Sequence, residues 1–357
     1  MSRELKEKSI RWLLTGVAFA LREPMLLAFG ASSVTFPYAE EYFTVYLTGT
    51  VFNLLSLGMN QFIICQGFAK KGMISVMLGA VVNIVLDPVF IFVLHQGVRG
   101  AAIATVISQC ISAALVIRCL MKEQGAIHLD LHSLGFDKIK LRQILQVGLP
   151  AGVQGILFSL SNVVIQASIN GFGETVMAGN SAASNIENFI YVALNAFYQA
   201  NVSFTSQNMG AGNYHRIWKI LIRVEACVLV LGLALGGLTY LFGPQLLSLY
   251  SPSPAVIEAG LVRLKIVAVT YVLCGFMDSC VGTLRGIGYS VLPMIVTLVG
   301  ACALRLVWIS VLFQNPAYHT VDVIYWSYPV SWVVTASVHF LCIAITMRKL
   351  KHHLGIA

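Results

Sequence analysis

Long apolar runs alternate along this chain with brief polar intervals, and the runs set its plan. Nine of them, 42–66, 73–94, 100–121, 144–170, 176–207, 220–242, 266–284, 291–313 and 323–347, are long enough as helices to cross a hydrocarbon core of roughly 30 Å. A tenth, Ile10 to Leu21, is shorter, its uncharged part reaching roughly 15 Å. Backbone polar groups find no water in a bilayer, and no alternating segment of barrel type recurs, so the runs are expected to be helices. The pattern predicts an all-α polytopic membrane bundle of about ten transmembrane helices.

The longest polar interval, Lys122 to Gln143, divides look-alike stretches. Leu21-Arg22-Glu23-Pro24 resembles Leu241-Phe242-Gly243-Pro244, an offset of 220, and the stretch from Gly67 resembles that from Gly288, an offset of 221. Repeated bundles point to secondary transporters, in which related halves enclose a site near the midplane. The expected organisation is an incomplete amino-terminal lobe over 1–121, a cytoplasmic linker over 122–143 and a carboxyl-terminal lobe over 144–357, the two lobes pseudo-symmetric. On this repeat the first copy should begin about 77 residues before Met1, room for two more helices.

Composition sharpens the class. Apolar residues make up 57% and charged residues 11%, and mean hydropathy is +0.80, which excludes an ordinary soluble domain. The net charge of +8 would suit nucleic acid if it were clustered, but eighteen Lys and Arg fall on one set of alternate loops and four on the other, with Arg305 inside a run. That bias places both termini and the linker in the cytoplasm, with anionic lipid rather than nucleic acid as the partner of the basic loops. The expected location is a bacterial inner membrane. The charged opening, Met1 to Lys8, leads us to expect no cleavable signal peptide. Eight cysteines lie in or beside apolar runs without ligand spacing and read as small packing residues. Glycine pairs at helical spacing, Gly148/Gly152, Gly232/Gly236 and Gly282/Gly286, suit close helix contact.

Asp87, Glu187, Asp278 and Arg305 stand well inside the runs, where a charge costs roughly 2.5–3.5 kcal/mol or more and therefore needs a partner, a cavity or neutralisation. Asn83 lies one turn before Asp87, Pro88 follows it, and Thr105 reaches similar depth on the next helix. Carboxylate, amide oxygen and hydroxyl form a hard-oxygen set suited to a proton or a sodium ion, or else simply cap a kinked helix. Arg305 lies at a depth from which it could reach either Glu187 or Asp278, as substrate site or as structural ion pair. The run around Glu187 carries Asn180, Asn185 and Asn188 among other polar residues, and is expected to line a wet cavity or a helix interface. No phosphate loop, zinc-protease helix or nucleophile elbow occurs, so neither an enzyme nor an ATP-driven pump is expected.

Four motifs carry a resemblance: Asn83-Ile84-Val85-Leu86-Asp87-Pro88 with Gly97-Val98-Arg99-Gly100-Ala101-Ala102, then Gly148-Leu149-Pro150-Ala151, Gln207-Asn208-Met209-Gly210-Ala211-Gly212-Asn213, and Leu284-Arg285-Gly286. Together, in this order, they resemble the multidrug and toxic compound extrusion (MATE) transporters. The resemblance implies twelve helices in two lobes around a V-shaped cavity, and export of cationic, lipophilic drug-like compounds in exchange for sodium or protons; the chain is expected to be monomeric. This chain looks like helices three to twelve of that plan. Asn83, Asp87 and Thr105 match three of the four coupling residues that some prokaryotic members carry in the amino-terminal lobe. Other members have a glutamate ten residues after the glycine of the Gly-Leu-Pro motif. Here that position is Phe158, and Asp278 is not equated with their tenth-helix aspartate. The implied function is ion-coupled efflux by alternating access, with no cofactor beyond the coupling sodium ion or proton and no metal beyond sodium at Asp87. The rivals are a flippase for lipid-linked sugars, which would favour a cationic cavity where acids here outnumber Arg305, and a shortened, non-transporting membrane remnant or interaction partner.

Overall fold

The computed structural model describes Arg22, Glu23 and Leu26, residues 36–123, 128–130, 135 and 137–354, with 351–354 described by backbone alone. The short run Ile10 to Leu21 lies outside the described residues. Among those described, every regular element is helical. The chain divides into two compact units, Met1–Gly135 and Phe136–Ala357.

In the first unit α1 spans Phe36–Cys65, α2 spans Ala69–Pro88 and continues as a π-helical turn over Val89–Val93, and α3 spans Gly97–Lys122. Small residues let α3 approach both of its neighbours. A Cβ at Gly49 of α1 would overlap Val106, and one at Gly79 of α2 would overlap Ser112, while Ala102 and Ala104 of α3 are wholly buried. Ile63, Val116 and Leu120 close the apolar contact between α1 and α3.

The second unit holds α4 (Lys138–Asn170), α5 (Glu174–Gly210), α6 (His215–Leu241), the short α7 (Gly243–Ser248) and the broken helix α8. The last runs Pro254–Arg263, passes through a π turn at Leu264–Ala268, and resumes as Val269–Gly286. Then come α9, from Val291 to Leu312 with π turns at Leu298–Ala303 and Trp308–Leu312, a 3-10 turn at Pro316–Tyr318, and α10 (Val321–Leu354). Asp137 starts α4 by accepting from the Ile139 and Lys140 amides at 2.8 and 3.2 Å. Helix α8 is the axis of the unit, buried nearly throughout from Val272 to Gly286 and packed on α5, α6 and α10.

The look-alike turns share their geometry. Gly67 ends α1 with φ 88° and Gly288 follows α8 with φ 104°, and in each case the next residue's amide bonds the carbonyl five positions back, Phe68 to Ile63 and Tyr289 to Leu284. This is the glycine-dependent Schellman stop, used at both copies of the repeat. Of the glycine pairs, Gly232, Gly236, Gly282 and Gly286 sit against neighbouring elements, whereas Gly148 and Gly152 have nothing within 4 Å.

Seven of the described helices are long and apolar enough to cross a membrane: α1, α2 with its π turn, α3, α4, α6, α9 and α10. The remaining two long ones, α5 and α8, carry Glu187 and Asp278 with Arg285. Large apolar side chains face outward, Ile84, Phe92, Phe189 and Val230 among them, as expected of a surface solvated by lipid.

Candidate functional site

Within the second unit, α4, α5, α8, α9 and α10 surround a cavity of about 580 Å³. Its wall mixes rings and polar groups: Phe158 and Gln154 from α4, Glu187, Asn188, Tyr191 and Tyr198 from α5, Arg263, Tyr271, Asp278 and Arg285 from α8, Arg305 from α9, and Tyr328 and Trp332 from α10. A volume of this order suits a drug-sized molecule.

Glu187 is paired, but with Arg263 and not with Arg305. The Arg263 Nε donates to both carboxylate oxygens at 3.0 and 3.1 Å and its Nη2 donates to Oε2 at 2.7 Å, with both side chains nearly fully buried. Asn180 completes the cluster. Its Oδ1 accepts from Arg263 Nη1 at 2.6 Å and from the Tyr325 hydroxyl at 3.2 Å, and its Nδ2 donates to Gln166 Oε1 at 2.8 Å. The apolar pattern leaves Arg263 outside the run 266–284 and counts it with the four basic residues of the sparse set of loops. The helix in fact begins earlier, at Pro254, and carries Arg263 inward. The readable signal was Ser253 followed by Pro254, a helix start.

Arg305 takes neither acid. It is 1% exposed, its Nε donates to Ser331 Oγ at 2.8 Å, and the guanidinium lies 4.3 Å from the Tyr328 ring centre, 5.5 Å from Phe158 and 5.6 Å from Trp332. Among the described residues it forms no ion pair, and its Nη2 has no hydrogen-bond partner. Arg285, also absent from the expected set, donates to the Tyr198 hydroxyl at 2.5 Å and to Gln154 Oε1 at 3.0 Å. Asp278 shares the α8 face with Arg285, two turns away, and lines the cavity. Of the expected asparagines, Asn188 lines the cavity, Asn180 lies behind it in the arginine cluster, and Asn185 is exposed and outside the lining. The expectation that acids outnumber arginine here is therefore reversed: the wall holds three arginines, Arg263, Arg285 and Arg305, against Glu187 and Asp278.

Two buried groups escaped the sequence reading. Glu225 of α6, near the start of its apolar run, accepts from Cys280 Sγ at 3.6 Å, and its second oxygen has no partner. His339 of α10 is wholly buried, with its Nε2 3.1 Å from Thr297 Oγ1.

In the first unit Asn83 Nδ2 donates to Asp87 Oδ1 at 3.1 Å, as their one-turn spacing suggests. Thr105 bonds its own helix, its hydroxyl donating to Ala101 O at 2.9 Å, and no hydrogen bond joins it to Asn83 or Asp87 among the described residues. Pro88 directly precedes the π turn at Val89–Val93, where the missing donor loosens the helix beside Asp87.

The family model named MatE matches residues 10–89 and 150–309, most of both units. The chain belongs to the MatE family. It is thus an integral membrane protein of a transporter family and not an enzyme. Relatives include an FAD transporter of Shewanella oneidensis, 26% identical over 245 residues, covering 66% of this chain and 53% of the relative. The probable multidrug resistance protein YpnP of Bacillus subtilis is 26% identical over 300 residues, covering 82% and 67%. The multidrug export protein MepA of Staphylococcus aureus is 23% identical over 259 residues, covering 72% and 57%. The MatE chain thus spans 53% to 67% of the length of these relatives. An outward-facing multidrug resistance MATE transporter of the MOP superfamily superposes with TM-score 0.88 at 23% identity, covering 94% of this chain and 75% of that one. A MATE crystallised with MaL6 gives 0.86 at 23%, covering 95% and 76%. These likenesses establish the two-lobed MATE fold.

Proposed function

We propose that this chain works as a secondary active exporter of drug-like small molecules, using alternating access and driven by sodium ion or proton exchange. The observation that carries the reading is the cavity of about 580 Å³ in the second unit, where aromatic faces and buried charges meet inside a helical membrane bundle. Relatives named multidrug export protein and FAD transporter support small-molecule export. Asp87 is the proposed switch, with Asn83 as its neighbour and Thr105 recruited when the ion binds. Occupancy by a proton or a sodium ion would change which conformation is favoured. The lobes proposed are 1–121 and 144–357, joined by the linker 122–143, in an inner membrane with both termini cytoplasmic and the chain monomeric.

The test is efflux of a fluorescent drug from proteoliposomes under an imposed sodium or proton gradient. Asp87→Asn is expected to abolish gradient-driven efflux while leaving insertion and passive binding intact. Efflux unchanged in that variant would rule out the switch. The arginine-rich wall also favours a second reading, the lipid-linked sugar flippase. Competition of the fluorescent drug by a polyprenyl pyrophosphate separates the two.

A further inference from the structure

We infer that the cavity of the second unit selects aromatic anions, with Arg305 holding the anionic group against a wall of rings. The inference rests on reading that cavity as the substrate's site.

Charge is the first reason. Three hydrogen bonds from Arg263 tie up both oxygens of Glu187, so this pair offers a ligand almost nothing. What remains facing the cavity is Arg285 and Arg305 against Asp278, an excess of one guanidinium over carboxylates. A buried guanidinium without a carboxylate is costly, and the rings beside Arg305 answer only its faces.

The unused hydrogen-bonding groups are the second reason. Three wall residues keep a buried polar atom without a partner: Arg305 at Nη2, Arg285 at Nε and Trp332 at Nε1. All three atoms are donors. No buried acceptor among the described wall residues is left over in this way. A wall with donors to spare complements a ligand rich in acceptors, and a guanidinium whose terminal nitrogens are uncommitted is shaped for a carboxylate, sulfonate or phosphate.

Ring geometry supplies the rest of the ligand. Tyr271 and Trp332 have centroids 5.2 Å apart, Tyr328 and Trp332 5.7 Å apart, and Phe158 faces the same guanidinium from α4. Such rings bury a flat aromatic body while Arg305 fixes its charged end.

Fluorescein and rhodamine 123 share one ring system and differ in charge, so their binding to the purified full chain in detergent, followed by fluorescence anisotropy, tests the inference directly. Fluorescein is expected to bind at least about tenfold more tightly than rhodamine 123, the discrimination expected of a charge-assisted pair. Arg305→Gln should weaken fluorescein by about tenfold or more and leave rhodamine 123 unchanged or tighter. If that buried variant does not elute as a monodisperse species, Arg285→Gln provides the same comparison at a half-buried guanidinium. A preference for rhodamine 123, or equal fluorescein affinity in the wild type and the folded variants, overturns the anion preference while leaving the cavity a substrate site. Binding of neither dye overturns both.

Discussion

Glu187 and Arg263 are 2% and 6% exposed, and each is tolerable at that depth because the other is present. Their three hydrogen bonds leave little for water to add, so removing one partner strands the other. Arg263→Met should cost about 3–5 kcal/mol in equilibrium unfolding in mixed micelles, because it leaves a buried carboxylate unpaired. Adding Glu187→Gln to that variant should recover most of the loss, since the remaining amide is neutral and Asn180 stays beside it. A double variant no more stable than Arg263→Met would mean that packing and not charge sets the cost. Glu187, Asp278 and Arg305 were legible in the sequence because a charge inside an apolar run is conspicuous. Which arginine answers Glu187 was not, because Arg263 sits among Glu258 and Lys265, where hydropathy falls and a helix looks like a loop.

At the scale of elements, where apolar side chains stop is a poorer guide to a helix than how its ends are capped. Helix α8 starts at Pro254, well before its apolar run, and only that extra length brings Arg263 beside α5. The π turn that follows lies where α6 comes closest: a Cβ on Gly236 would stand 2.6 Å from Ala268 O, a backbone atom that cannot rotate away. The adjacent Gly237 has nothing within 4 Å. Gly236→Ala should therefore destabilise the second unit by about 1–3 kcal/mol through forced separation of α6 from α8. Gly237→Ala should be neutral, or stabilising by up to about 1 kcal/mol through helix propensity. Equal effects in the same micelle unfolding assay would show that backbone contact at the π turn does not limit the packing. Small-residue contacts of this kind were only suggested by glycine spacing, and the Gly148/Gly152 pair, spaced identically but standing open, shows why spacing alone does not locate an interface.

For the whole molecule, the question is which ends of these helices face the cytoplasm, and the answer turns on how basic residues are distributed over the loops. The bias of Lys and Arg toward one set of alternate loops, which survives the move of Arg263 from its outer loop into α8, predicts the turn between α8 and α9 inside and the turn between α9 and α10 outside. Both turns offer an exposed tyrosine of equal accessibility, Tyr289 and Tyr318, each 48% exposed, so a difference in labelling between them reports sidedness and not burial. In a background with its eight native cysteines replaced, Tyr318→Cys should react in intact cells with a membrane-impermeant maleimide. Tyr289→Cys should react only after permeabilisation. The reverse pattern would invert the whole chain, because α9 lies between the two positions and a helix crossing the bilayer cannot leave both ends on one side. Labelling of both in intact cells would instead show that α9 does not span the membrane, and that the π turns flanking Arg305 interrupt a helix lying short of the far interface.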